Sequence, residues 1–585
     1  MPASPPPPRS ARPPPPGQKP GPKPGLLALA PAVTLGLLAV PVLAGLVGTI
    51  LPGLGLAPAL GGTRLDLAPW AALIATPGLW RSAALSLGTG LAATVVSLAL
   101  TTLILAAWHG TRPFRLIERA LSPLLSVPHA AAAFGLAFLI APSGWAVRAV
   151  SPWATGWQTP PDWLVPGDPL GLSLIAGLAA KEVPFLLLMS LAALPQADAA
   201  RARRAALTLG YGPSTAWLKA VFPRIYPQIR LPVFAVLAFS LANVETALIL
   251  GPSTPATLAV RLTQWMRDPD LALWLKAAAG ATLQLGLVLA ALALWRLAEA
   301  AATWLGRAWI LRGARHPHDR LPRAAGALAA ALATLPMLAG LASLAVWSVA
   351  GLWSFPDALP ASLTLRAWSR AAPELAGAAL TTLGIAAGAT ALSLALVLAC
   401  LENATRHGRG TGHALLALLY LPLVVPQVAF LFGLQILGLM AGLDGGPLAV
   451  TLAHTVFVLP YVYLSLAEPW AALDPRLAAA AATLGAPPGR IFRRVRLPMM
   501  LRPILTAAAV GLAVSIGLYL PTLLIGAGRV ATLTTEAVAL ASGGDRRLIG
   551  TWALLQAALP FAGFALALGL PALVWRSRRA MRPAR

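Results

Sequence analysis

This chain has little of what soluble proteins use for their surfaces and their chemistry. Only 11% of its 585 residues are charged, against about 25% in ordinary soluble domains, while 58% are hydrophobic and the mean hydropathy is +0.74. No water-facing surface of this size can be built from that composition, so the solvent is lipid. There is one cysteine, Cys400, and no disulfide can form within the chain. Lysine is scarce as well. None of Lys19, Lys23, Lys181, Lys219 and Lys276 is preceded by Gly and followed by Ser or Thr, the pattern a phosphate-cradling loop needs for ATP hydrolysis. The seven histidines (His109, His129, His316, His318, His407, His413 and His454) are scattered, and the one close pair, His316 and His318, lies in a basic loop. A zinc or iron site is therefore unsupported, and no cofactor is expected. Glycine has no three-residue period, which excludes collagen.

What the chain has is long apolar runs. A membrane helix needs about 20 mostly apolar residues, and twelve runs qualify, at roughly 25–50, 83–107, 121–141, 171–194, 231–250, 271–295, 325–350, 377–400, 413–440, 447–467, 504–526 and 549–575. Proline interrupts the first, at Pro31 and Pro41, and lies near the start of the third, at Pro123 and Pro128, which membrane helices tolerate. The formal net charge is +25, from 44 Lys+Arg against 19 Asp+Glu. In a soluble protein that would point to nucleic acid; here most basic residues fall in alternate loops on the side of the N-terminus, and the acids do not follow them. By the positive-inside rule both termini are expected in the cytoplasm of a cell with an inner membrane. Residues 1–24 read as a Pro-rich basic tail before an uncleaved first span.

The spans fall into two sets of six. VPHAAAAFGL from Val127 pairs with VPQVAFLFGL from Val425, and LGTGLAATVVSLAL from Leu87 with LGIAAGATALSLAL from Leu383. The halves, 25–323 and 324–585, meet after a basic stretch holding Arg307, Arg312, Arg315, Arg320 and Arg323. Six is even, so each copy enters and leaves on one side, and the expected fold is an all-α polytopic membrane protein of about 12 helices in two parallel six-helix repeats.

Between the fourth and fifth spans of each half lies a large loop on the basic side. Each has an Ala-rich run ending in Thr-Leu-Gly, then a short basic and aromatic run, then a proline thirteen residues after the glycine: Gly210 with Pro223, and Gly485 with Pro498. With 52 Gly and 56 Pro, chance supplies about five such pairs. Recurrence at the same place in both halves makes this one informative. Alanines allow close approach, glycine at positive φ turns one helix into the next, and the proline is expected to stop the second. A helix–turn–helix along the membrane surface results, with Arg490, Arg493, Arg494 and Arg496 available for acids on a docked protein or for anionic headgroups.

At these residues the chain resembles the inner-membrane permease subunits of binding-protein-dependent ABC importers. Their signature is Glu-Ala-Ala, three residues, Gly, nine residues, Ile, one residue, Leu-Pro. It falls on Ala479, Ala480, Ala481, Gly485, Val495, Leu497 and Pro498 in the second loop, and on Arg204, Ala205, Ala206, Gly210, Ala220, Phe222 and Pro223 in the first. The leading Glu is absent from both, so any ion pair it makes with an ATPase is missing here. The two-domain fused permeases for iron(III) and thiamine carry two such halves, and LPTLLIGAGRVATLTTEAVAL from Leu520 with GPSTPATLAV from Gly251 looks most like the thiamine-permease-like branch. The resemblance implies a transport subunit rather than an enzyme. Its implied partners are two cytoplasmic ATP-binding cassette subunits on the two loops, a periplasmic solute-binding protein and the lipid bilayer.

Ionisable residues inside spans are expensive and mark candidate function. Glu182 and Glu245 are the candidate pathway residues, with Lys181 beside the first and Asn243, Tyr461 and Tyr463 as further polar candidates. An ion-coupled secondary transporter with parallel repeats is the alternative reading. It would leave the repeated loops without a task. A membrane-embedded enzyme would need a cluster of acids or histidines near one interface, and none is present.

Overall fold

The computed structural model describes residues 26–316, 318–407, 413–442 and 445–574; the basic tail lies outside them. Ten helices are long and apolar enough to cross a membrane. Two bent pairs, Leu418–Val424 with Gln427–Met440 and Pro488–Met499 with Leu501–Gly517, raise the number to as many as twelve. Among the described residues the only strands are Leu56–Ala57 and Gly62–Thr63. Lipid offers no partner to a bare N–H or C=O, so apolar runs close their hydrogen bonds internally as helices. The expected all-α polytopic architecture is what is found.

The helices used below are α1 (Ala30–Gly53), α2 (Leu79–Trp108), α3 (Phe114–Leu124), α4 (His129–Ile140), α5 (Leu172–Gln196), α6 (Ala199–Thr208), α7 (Phe222–Ala242), α8 (Glu245–Leu250), α9 (Leu258–Trp265) and α10 (Leu271–Leu311). The second set is α11 (Arg320–Val349), α12 (Arg366–Arg406), α13 (His413–Val424), α14 (Gln427–Met440), α15 (Pro447–Ala471), α16 (Pro475–Thr483), α17 (Leu501–Gly517), α18 (Leu520–Ile525), α19 (Leu533–Leu540) and α20 (Arg546–Val574).

Four of the expected spans are not continuous, the ninth (413–440) being bent by 94° between Val424 and Gln427. The third, 121–141, is interrupted between α3 and α4, where Pro128 supplies no N–H and the carbonyls before it lose their helical donors. Lys181, 4% exposed on α5, fills that gap: its Nζ donates to Leu124 O at 3.0 Å, Leu125 O at 3.1 Å and Val127 O. The ammonium expected as a functional candidate is thus committed to the backbone. Lys181→Met is expected to lower stability by at least about 2 kcal/mol, since each buried carbonyl left unpaired costs about 1–3 kcal/mol. Thermal unfolding of the purified chain in detergent measures it, and an unchanged midpoint would refute the tie.

The fifth and eleventh spans break near their far ends. Expected as 231–250 and 504–526, they end instead at Ala242 and Gly517, and after two non-helical residues restart as α8 and α18. The carbonyls freed by the two breaks are answered in parallel ways. Gln284 Nε2 donates to Leu241 O at 3.0 Å. In the other half Thr534 Oγ1 donates to Ile516 O, and Gln556 Nε2 to Thr534 Oγ1 at 2.6 Å. Each following helix is pinned alike, Leu258 N to Ser86 Oγ and Leu533 N to Thr382 Oγ1, both at 2.9 Å.

The first helix of each half leaves its own bundle. α1 packs most extensively on α14, and α11 on α4. Glycines make both crossings. Gly45 and Gly48 face Phe430 and Gly433, and Gly135 faces Gly340 so closely that a Cβ on either would lie 2.8 Å from the other's carbonyl carbon. The repeated Phe-Gly-Leu therefore marks where the two halves clasp.

Candidate functional site

Each duplicated loop begins with an Ala-rich helix that ends in a Schellman closure. In the first, Tyr211 N donates to Ala206 O at 3.3 Å and Gly210 N to Leu207 O at 3.0 Å; in the second, Ala486 N donates to Ala481 O at 3.1 Å and Gly485 N to Ala482 O at 3.0 Å. That closure needs a left-handed residue after the helix, and Gly210 and Gly485 supply it at φ +81° and +79°. Thr208 and Thr483 each donate to the carbonyl three residues back at 2.8 Å. The turn read from Thr-Leu-Gly is present twice.

The second helix of each loop differs from expectation. Pro213–Ala216 and Pro488–Ile491 lead into π-helical turns, Trp217–Val221 and Phe492–Arg496. The wider turn loses contact with the usual i−4 acceptor, so a proline just after it removes no ordinary bond. Pro223 consequently does not stop the helix, which runs on into α7, and beyond Pro498 the chain bends by 73° at Met500.

The signature positions present a mixed surface. Arg204 and Ala205 are exposed and Ala206 is buried; Ala479 and Ala480 are exposed and Ala481 is half-buried. Pro223, Gly485 and Pro498 are exposed, with Leu497 half-buried. Of the four arginines in the second loop, Arg490, Arg493 and Arg494 are exposed. Arg496 instead reaches Glu402 on α12, which also takes Arg406 Nε at 2.7 Å and is 1% exposed. Sequence reading passed over Glu402, since a lone acid at a span end carries no spacing signal.

The first loop is braced by the stretch joining the halves. Gly212 N donates to Arg315 O at 3.1 Å, Ser214 N to both Asp319 oxygens at 3.2 Å, and Lys219 Nζ to Trp309 O and Ala314 O at 3.1 and 2.8 Å. Arg203 Nη1 donates to His109 O at 3.1 Å. Burial, then the Arg203 charge, hold the His109 imidazole below its ordinary pKa, so the cation at this helix end is Arg203.

Deeper in the bundle the two candidate acids meet the seam between halves. Glu182 lies ten residues into α5, about 15 Å along it at 1.5 Å per residue, near the middle of a hydrocarbon layer about 30 Å thick. Its Oε1 is 3.7 Å from His129 Nε2, the first residue of α4, whose ring lies 4.8 Å from that of Phe239. Glu245 opens α8, and Asn243 in the break accepts from Thr246 N at 2.8 Å. From the other half, Gly517 abuts Pro128, and Tyr461 and Tyr519 lie within electrostatic range of Glu182 and Glu245. Tyr463 is buried on the same helix as Tyr461. His129 and Tyr519 were not anticipated; both adjoin helix breaks that hydropathy cannot see.

Comparison with known proteins agrees with this architecture. Residues 391–575 match the family model for the binding-protein-dependent transport system inner membrane component. The chain is 34% identical over 509 residues to the inner membrane ABC transporter permease protein YnjC of Escherichia coli, covering 86% of this chain and 90% of that one. It is also 34% identical over 170 residues to the molybdenum transport system permease proteins ModB of Mycobacterium bovis and Mycobacterium tuberculosis, but spans only 64% of their length and 27% of its own. A polytopic helical chain that matches such a permease over nearly its whole length belongs to the family of binding-protein-dependent ABC permeases of the inner membrane.

Proposed function

We propose that the chain is the transmembrane permease component of an importer whose energy enters from outside it, through the two duplicated loops. The observation that carries this is the recurrence of one device, an alanine helix closed by a left-handed glycine and followed by a π turn, at the same place in both halves. Two ATP-binding subunits dock on these loops from the cytoplasm, where both termini also lie. A solute-binding protein delivers its cargo to the opposite face. ATP binding draws the subunits together and moves the clasped halves between inward-open and outward-open states, because docking is tighter to one state than to the other. Hydrolysis belongs to the separate subunits. This chain has no P-loop.

The test uses Gly210→Val with Gly485→Val, since β-branched residues are strained at the φ these positions hold. Co-expressed with its cognate cytoplasmic ATP-binding cassette subunit, the double variant is expected to insert normally, to lose that subunit on purification and to lose ATP-dependent uptake by at least about tenfold. Normal uptake by the variant would end the docking assignment. So would concentrative uptake by the purified chain in liposomes on an ion gradient alone.

A further inference from the structure

We propose that His129, Glu182, Asn243 and Glu245, facing Tyr461 and Tyr519 across the seam, form the station where the solute rests in mid-passage, and that this station takes a small organic cation. The inference rests on reading the chain as a solute pathway, and names the solute's chemistry.

Position comes first. In transporters with internal repeats, binding sites lie near the bilayer midplane, at the repeat interface, where helices are discontinuous. Here His129 begins the helix that follows one break, Glu245 begins the helix that follows another, and Tyr519 stands in the corresponding break of the other half. Gly517 against Pro128 brings the two broken segments into contact.

The unmet polar groups come second. Glu182 is 6% exposed, and among the described residues the one basic side chain within 4 Å of its carboxyl is His129, at 3.7 Å and beyond hydrogen-bond length. A buried carboxylate without donors is costly, and an arriving cation removes that cost. Lys181, the adjacent ammonium, is occupied by three carbonyls. Asn243 is 5% exposed, and its Nδ2, close to the Glu245 carboxyl, makes no hydrogen bond of good geometry. A donor and two carboxyl groups gathered near His129 at the seam suit a solute that carries positive charge and a hydrogen-bond acceptor.

The alternatives fail on the same residues. An oxyanion would meet two carboxyl groups, against which stand His129 and, near Tyr519, Arg267. A bare metal ion needs several convergent ligands, and among the described residues no group of three or more His, Cys, Asp or Glu side chains is close enough to hold one. Tyrosine and phenylalanine faces favour an organic cation. The polarity is also one-sided: Leu520 begins the helix matching that of Glu245, so the acids come from one half and the phenols from the other.

The experiment measures equilibrium binding of radiolabelled thiamine and choline to the purified full chain in nanodiscs, with molybdate and iron(III) nitrilotriacetate as the contrasting probes. At least one organic cation is expected to bind saturably below about 10 mM, and molybdate is not. Glu182→Gln and Glu245→Gln should each weaken that binding by at least about tenfold, about 1.4 kcal/mol. Glu182→Asp and Glu245→Asp, which keep the charge, should retain most of it and guard against misfolded glutamine variants. The proposal is overturned if neither cation binds, if molybdate or iron(III) binds instead, or if both glutamine variants bind as the parent does. The assay contains no ATPase, so failure of loop docking would leave it intact while abolishing ATP-driven uptake.

Discussion

Gly433→Leu is expected to prevent the two halves from assembling. A Cβ at this position would overlap Gly45 O and lie 2.6 Å from both Thr49 N and Thr49 Oγ1, and two of these three atoms are backbone that cannot rotate away. Relief requires α1 and α14 to move apart along their shared length. Overpacking of a well-fitted core costs about 1–3 kcal/mol and more where backbone must shift, and the close crossing is itself the source of attraction in lipid, where no hydrophobic force drives helices together. We expect a loss above about 3 kcal/mol, read as aggregation on size-exclusion chromatography and a collapse in yield. Gly438→Ala, on the same helix with nothing within 4 Å, is the control and should be neutral. Equal behaviour of the two variants would refute the crossing.

Glu402→Ala should come next in size. Its carboxylate is nearly inaccessible, and it holds Arg406 on its own helix and Arg496 in the π turn of the second loop. Removing one partner of a buried ion pair costs about 3–5 kcal/mol, mostly because the other charge is stranded. Arg406 and Arg496 are a third and a fifth exposed, so hydration recovers part of this and a loss of about 2–3 kcal/mol is expected. The loss should be local. The second loop would come away from α12, trypsin should cut sooner at the exposed Arg490, Arg493 and Arg494, and Glu402→Gln should fall between parent and alanine. An unchanged cleavage rate would show that the loop is held by something else.

These two residues illustrate what can be read from a one-dimensional chain. Gly433 stood inside a repeated string, so its importance was visible, but its reason was not, because the string does not say which distant helix crosses it. Glu402 stood in no pattern at all. The apolar runs announced the helices, since composition alone decides what lipid will accept, and the duplicated Thr-Leu-Gly announced the turns, since the Schellman closure is a local demand on one residue. The breaks at Pro128, Asn243 and Leu518 escaped because leucine, valine and alanine continue through them. Pro128 and Asn243 were visible but did not announce a break, and the other traces were the polar residues Gln284, Thr534 and Gln556, which are the groups that satisfy the interrupted backbone. Lys181 was noticed for its charge and turned out to serve the same end.

The clasp between α1 and α14 also sets a timetable for biogenesis. Gly433 is made about 385 residues after Gly48, so at about 5–20 residues per second roughly 20–80 s separate the first helix from its docking face. Through that interval this face of the helix has no partner, although the helix can already pack on α10, where Gly53 meets Ala279, and its apolar outer residues Val33, Val40, Leu43 and Val47 suit it to the bilayer. The nascent protein therefore carries an unclaimed glycine-lined face until synthesis is well into its second half, and quality control in the membrane has to tolerate it for that long.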